Sequence, residues 1–112
     1  MTAERLLSFN GDSIQINEYY PGQGVDPHVD SKNNGELITI LSLGSHTVLN
    51  FKNKKEQTIP MFLPNGSLFQ MWGELRYKWT HSIEPKLYDT IDGIKLERTK
   101  RYSIVFRKSL IK

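Results

Sequence analysis

The chain has 112 residues, 38% of them hydrophobic and 24% charged, with a formal net charge of +3 and no cysteine. That is room for one domain, 1–112, with a real core but no second lobe. It excludes a disulfide-stapled scaffold and a thiolate metal site, a bilayer-spanning helix and a signal peptide, so no membrane role is expected and an intracellular location, cytoplasmic or nuclear, is.

The organisation is mostly strands. Thr2 to Phe9 reads as the one short helix. Residues 13 to 20 alternate, with Ile14 and Ile16 on one face and Gln15, Asn17 and Tyr19 on the other. Pro21-Gly22-Gln23-Gly24 ends that strand. Residues 37 to 43 read as a buried strand, and Gly44-Ser45 turns the chain into His46 to Phe51. Lys52 to Glu56 is a polar hairpin loop. Gln57 to Leu63 and Ser67 to Trp72 flank Pro64-Asn65-Gly66, where Asn-Gly supplies the positive φ angles of a hairpin turn. Residues 75 to 81 alternate as a strand, with Leu75, Tyr77, Trp79 and His81 on one face. Tyr88 to Leu96 holds a short strand and a turn at Asp92-Gly93, and residues 100 to 108 form the last strand. Many short strands separated by turns predict an all-β fold with little helix, and the strand count suits a double-sheet jelly roll.

Chemistry concentrates at His28, Asp30 and His81. Residues two apart on a strand share a face, so His28 and Asp30 can approach one metal. Two imidazoles and a carboxylate suit a mononuclear non-haem Fe(II) site with open positions, and equally a hydrolytic zinc site. The plain alternatives are a turn residue after Pro27 for His28 and a carbonyl-bonded core histidine for His81. His46, beside Gly44-Ser45, is assigned to the turn.

The last strand places Tyr102, Ile104 and Phe106 on an apolar face and Arg101, Ser103, Val105 and Arg107 on the other. The two arginines are about 20 Å apart along an extended strand. Each side chain reaches roughly 6 Å and leans along the strand, leaving about 8 Å, close to a five-carbon dicarboxylate. A guanidinium fork pairs bidentately with a carboxylate, and Asn17 and Tyr19 can complete the hydrogen bonds of such a ligand. The competing reading is an edge strand with two solvated arginines. Lys52, Lys54 and Lys55 form one basic cluster, and Lys95, Arg98, Lys100 and Arg101 another. Each is a solvated loop or a phosphate contact.

Together these stretches resemble the AlkB family of Fe(II)- and 2-oxoglutarate-dependent dioxygenases. The resemblance runs from about Ile14 to Lys108. It rests on Ile16-Asn17-Glu18-Tyr19-Tyr20-Pro21-Gly22-Gln23-Gly24, His28-Val29-Asp30, Ser42-Leu43-Gly44-Ser45 and Pro64-Asn65-Gly66-Ser67-Leu68. Further along it rests on Gly73-Glu74-Leu75-Arg76-Tyr77-Lys78-Trp79-Thr80-His81 and the Arg101 and Arg107 pair. It implies a double-stranded β-helix, iron held by His28, Asp30 and His81, and 2-oxoglutarate held by Arg101, Arg107, Asn17 and Tyr19, with O2 as the third reactant. Family members carry a longer N-terminal part that builds a lid over a nucleobase, so this chain is expected to be a bare catalytic core without most of that lid. Lys32 stands where base-repairing members often place an acidic residue.

The expected function is therefore oxidative hydroxylation or demethylation of a nucleic acid, RNA favoured, single-stranded or in a tRNA loop. Lys32, Lys52, Lys54 and Lys55 are the candidate substrate contacts. A tRNA wobble-uridine hydroxylase or a protein hydroxylase on the same core is the alternative among enzymes. A nucleic-acid-binding module with a degenerate pocket is the alternative outside them.

Overall fold

The computed structural model describes residues 3–9, 12–31 and 35–108. The elements are β1 (Ala3–Phe9), β2 (Asp12–Tyr19), β3 (Val25–His28), β4 (Leu37–Leu43), β5 (Thr47–Lys52) and β6 (Thr58–Leu63). They continue with β7 (Ser67–Met71), α1 (Gly73–Lys78), β8 (Thr80–Ile83), β9 (Tyr88–Ile91), β10 (Ile94–Glu97) and β11 (Arg101–Lys108). A five-stranded sheet ordered β1-β2-β11-β4-β7 faces a four-stranded sheet ordered β3-β8-β5-β6, and β9 and β10 form a separate hairpin. All strand pairs are antiparallel. No described helix is long and apolar enough to cross a membrane.

Period-two alternation decides which side chains enter the space between the sheets. From β4 these are Ile38, Ile40 and Ser42, from β5 Thr47, Leu49 and Phe51, and from β11 Arg101, Ser103 and Val105. The apolar members join Leu63, Met71 and Ile83 in one buried cluster. β11 lies between β2 and β4, so its arginines are not on a solvated edge. The face carrying Tyr102 and Phe106 is the one turned outward.

Three local expectations give way. Residues Ala3–Phe9 are a strand, not a helix, paired with β2 from Ala3↔Glu18 to Phe9↔Asp12. So short a helix is marginal on its own, whereas the free side of β2 offers a complete ladder, and Asn10-Gly11 between the two strands is the residue pair a two-residue hairpin prefers. Residues 73 to 78 are helical, not extended. Leu75 and Trp79 both pack on the core while Tyr77 faces out, which is the helical period. Glu74 in the first turn and Arg76 and Lys78 in the last complement the helix dipole. At 64–66, Gly66 takes the positive φ but Asn65 does not. Ser67 N–H donates to Pro64 O at 3.1 Å, a type II arrangement that needs the left-handed residue only at its third position. Asn65 instead uses its side-chain oxygen to accept from Gly44 N–H at 2.8 Å, tying the two turns together. The turn at Asp92-Gly93 does have positive φ at both residues.

Gly44 has φ +92°, and a Cβ there would lie 2.5 Å from the carbonyl oxygen of Lys100. Gly93 has φ +79° with open space around it. Gly93→Ala should therefore lower the unfolding free energy by about 1–2 kcal/mol, the left-handed penalty alone. Gly44→Ala should cost clearly more, roughly 3 kcal/mol, because backbone must also move. Urea denaturation of both variants checks this, and equal losses would show that the Lys100 contact does not matter.

Candidate active site

β3 pairs with β8 so that His28 stands directly opposite His81, with ring centroids 4.3 Å apart. β3 ends at His28, so Asp30 lies beyond the strand, contrary to the expectation that both share a strand face. Its carboxylate still reaches the pair: Oδ1 is 3.4 Å from His28 Nε2 and 3.8 Å from His81 Nε2. One ligand atom from each of the three residues lies within 4.8 Å of the others, as a metal requires. His28 Nδ1 lies 2.8 Å from Asp26 O. Donation from Nδ1 there, in the neutral ring, leaves the Nε2 lone pair free for a metal between the three residues; in the protonated ring Nε2–H donates to Asp30.

The two imidazoles are tuned oppositely. The hydrogen bond to Asp30 raises the His28 pKa above its ordinary value, against partial burial. Burial, then the neighbouring His28 charge, pushes His81 down to about 4, so it is neutral and ready to ligate at physiological pH. Burial of Asp30 favours its neutral form, but the His28 hydrogen bond and the charges of His81 and Arg107 outweigh it and lower its pKa. Phe51 is the cross-strand neighbour of His81 on β5, with ring centroids 6.2 Å apart.

These residues open into a cavity of about 550 Å³ between the sheets, lined also by Gln15, Asn17, Tyr19, Arg101, Ser103 and Arg107. Arg101 is 5% exposed. Its Nε donates to Ser42 Oγ at 2.8 Å, and its guanidinium carbon is 5.3 Å from the Tyr19 ring centroid. Burial pushes its pKa down to about 10, so it stays charged at neutral pH. Arg107 donates from Nη1 to Gln15 Oε1 at 2.6 Å, and Gln15 Nε2 donates to Asn17 Oδ1 at 3.0 Å. Arg107 Nε lies 3.8 Å from Asp30 Oδ2 and is a buried donor without a hydrogen-bond partner.

The fold thus brings His28, Asp30, His81, Asn17, Tyr19, Arg101 and Arg107 into one cavity. It does not bring the lysines there. Lys52 pairs with Glu56 at 2.5 Å, and Lys54 and Lys55 are exposed in the β5–β6 loop. Lys32 lies outside the described residues. The second basic cluster is no solvated loop: Arg98 and Arg101 are buried, and Lys100 pairs with Glu18 at 3.1 Å. His46 is more than a turn residue. Its Nε2 lies 3.0 Å from Asp89 Oδ2, and Arg98 clasps the same carboxylate through Nε and Nη2 at 2.8 and 2.9 Å.

Sequence reasoning passed over Gln15, Ser42 and Arg76. Gln15 was visible as the third member of the Asn17 and Tyr19 face. Ser42, buried in the otherwise apolar β4, was a polar residue in need of a partner. Arg76 left no signal of its kind, because its partners are backbone carbonyls.

The sequence model of the 2OG-Fe(II) oxygenase superfamily matches residues 2–107. Uncharacterized protein L905 of Acanthamoeba polyphaga mimivirus is 40% identical over 110 residues, covering 96% of this chain and 52% of its own length. The tRNA (carboxymethyluridine(34)-5-O)-methyltransferase alkbh8 of Xenopus tropicalis is 45% identical over 87 residues, 77% of this chain but 14% of that protein. The chain therefore spans about half of the viral relative and a small part of the frog one. Among solved structures, a cupin family protein from Methanocaldococcus jannaschii with a double-stranded β-helix fold has a TM-score of 0.65 at 9% identity, covering 97% of this chain and 81% of that one. OsALKBH1 has a TM-score of 0.64 at 16% identity, covering 86% and 47%. These structural likenesses speak for the fold, a double-stranded β-helix. The sequence match carries the family: the chain belongs to the 2OG-Fe(II) oxygenase superfamily as an AlkB-like member, with Fe(II), 2-oxoglutarate and O2 as its cofactor set.

Proposed function

We propose that this chain is the catalytic core of an AlkB-like dioxygenase that hydroxylates or oxidatively demethylates a nucleic acid, RNA favoured. The observation that carries the reading is one cavity with His28, Asp30 and His81 at one end and two arginines along its wall. The names of the vertebrate relatives, which are tRNA-modifying, favour RNA.

The residues fit the cofactor set. The two histidines and Asp30 are a borderline-to-hard donor set suited to Fe(II), and they leave one side open to the cavity. Arg107 Nε is buried without a hydrogen-bond partner, and its only ion pair among the described residues is a long one to Asp30, so it can still donate to a bound anion. His28, Asp30 and His81 would hold the iron, and Arg101 and Arg107 the carboxylates of 2-oxoglutarate, with Asn17 and Tyr19 completing the hydrogen bonds. Bound together, the cofactors supply oxidation of a substrate C–H bond coupled to decarboxylation of 2-oxoglutarate to succinate. The chain orients and shields: Ser42 and the Tyr19 ring hold the Arg101 fork, and His81 is itself buried beside Phe51. The deciding experiment is anaerobic Fe(II) loading, then oxygen, 2-oxoglutarate and a panel of modified oligonucleotides. Oxygen-dependent succinate formation stimulated by an RNA supports the reading. Hydrolysis products without oxygen consumption would replace it with a zinc-type hydrolase.

His28→Ala, Asp30→Ala and His81→Ala should each abolish measurable Fe(II) binding by anaerobic calorimetry while the far-ultraviolet circular dichroism stays that of a β fold. Two remaining ligands hold Fe(II) poorly against water. A variant that keeps wild-type affinity removes its residue from the ligand set.

Arg101→Lys should weaken 2-oxoglutarate binding on the order of tenfold, since a point charge cannot reproduce the bidentate fork, and Arg101→Ala should weaken it further. Titration of 2-oxoglutarate into iron-loaded protein reads both. An unchanged dissociation constant would move the cosubstrate away from β11.

RNA binding should be weak and salt-dependent. Lys54 and Lys55 are exposed for phosphate contact, while Lys52 is already paired with Glu56. Their loop leaves β5 one residue pair beyond the Phe51↔His81 level, at the metal end. Lys54→Ala with Lys55→Ala should reduce the slope of log affinity against log salt by about 1.4 on a single strand. An undiminished slope would clear this loop of a role, and no binding at low salt would favour a protein hydroxylase.

A further inference from the structure

Arg76 is 1% exposed, the largest side chain among those fully buried in the described residues. No carboxylate among the described residues pairs with it. All four of its hydrogen bonds go to backbone carbonyls of one segment: Nη1 to Asp30 O at 2.9 Å, Nη2 to Ser31 O at 2.7 Å, and Nη2 and Nε to Gly35 O at 2.9 and 3.1 Å. A buried guanidinium without a counter-ion is costly, and carbonyl dipoles compensate it only if they are held in place around the fork. The cost of disturbing the arrangement therefore falls on the Asp30 segment.

That segment needs the support. Asp30 lies beyond the end of β3, so no strand ladder holds its backbone. His81 has one, paired with both His28 and Phe51. Arg76 sits on α1, which runs almost directly into β8 and His81. Its fork therefore ties the carboxylate-bearing segment to the element that delivers the second imidazole. We infer that Arg76 is a positioning residue for the metal site, fixing the Asp30 main chain so that its carboxylate meets His28 and His81. The inference rests on the proposal that these three residues hold the metal.

Co(II) serves as the probe, because its visible absorption reports ligand geometry without turnover. Wild-type protein, Arg76→Met, Arg76→Lys and Asp30→Ala are titrated with Co(II), and each apo protein is checked for folding by circular dichroism and thermal denaturation. Arg76→Met should remain folded, bind Co(II) roughly 10- to 100-fold more weakly, as loss of a supporting outer-shell contact does, and show a changed visible spectrum. Arg76→Lys, which keeps the charge but not the fork, should lie between Arg76→Met and wild type. Wild-type affinity and spectrum in a folded Arg76→Met would overturn the inference while leaving the metal site standing. So would unfolding of both Arg76 variants, which would make the residue a structural one only. Failure of the wild type itself to bind Co(II), with Asp30→Ala no different, would instead overturn the metal reading beneath it.

Discussion

The register of β3 against β8 is the constraint around which the site is arranged. It sets His28 opposite His81, and in an antiparallel pair the alternative register, shifted by one, would send one of the imidazoles to the other face of the sheet. The same strand β8 pairs on its other side with β5, which puts Phe51 beside His81. Two neighbours thus fix His81, and its burial keeps it neutral. Asp30 and its carboxylate complete the group from outside the ladder, so strand pairing does not hold it.

An interior holding Arg101, Ser103, Asn17 and Ser42 is a poor hydrophobic core, and apolar residues share the work: Ile38, Ile40, Leu49, Ile83 and Val105 belong to the core and also line the cavity. The apolar cluster of Ile38, Ile40, Leu49, Phe51, Leu63, Met71, Ile83 and Val105 joins the sheets. The polar side chains line the cavity and largely satisfy one another, through Ser42 to Arg101 and through Asn17 and Gln15 to Arg107. Such networks are affordable only when nearly complete. The atom left over, Arg107 Nε, is buried without a hydrogen-bond partner, 3.8 Å from Asp30 Oδ2.

Strands whose alternation matched their burial were legible in the sequence. On β2 and β11 the polar side chains of one face stood out against the apolar other face, and that polar face is the cavity wall. His28, Asp30 and His81 were legible as a group only through their order and spacing together with the arginines of the last strand, since a His-x-Asp alone is common; the structure brings the three together. Helix α1 was not, since Leu75, Tyr77 and Trp79 satisfy a two-residue period on paper and only packing selects the helical one. Arg76 was beyond reach for a deeper reason: its acceptor on Asp30 is a main-chain oxygen 46 residues away, and every residue has such an oxygen. The link from His46 to Asp89 spans 43 residues and could be read only once the hairpin β9–β10 was placed.

The two buried arginines that follow the hairpin are compensated in different ways. Arg98 and Arg101 are three residues apart, and both are less than a tenth exposed. Arg98 is held by both oxygens of Asp89 and by Glu84 O at 2.7 Å; burial would raise the Asp89 pKa, but the hydrogen bonds and charge of Arg98 outweigh it and keep the carboxylate ionised with a lowered pKa. Its charge is spent within the protein. Arg101 has a hydroxyl and an aromatic face as partners and no carboxylate among the described residues. A positive charge buried without a counter-ion is stable only if an anion arrives to meet it or if its hydrogen bonds are exhausted, and neither Ser42 nor Tyr19 carries a charge. Three positions of chain, across the step from β10 to β11, thus separate an arginine with a carboxylate partner from one without, and the difference lies in Asp89, a residue that does not line the cavity.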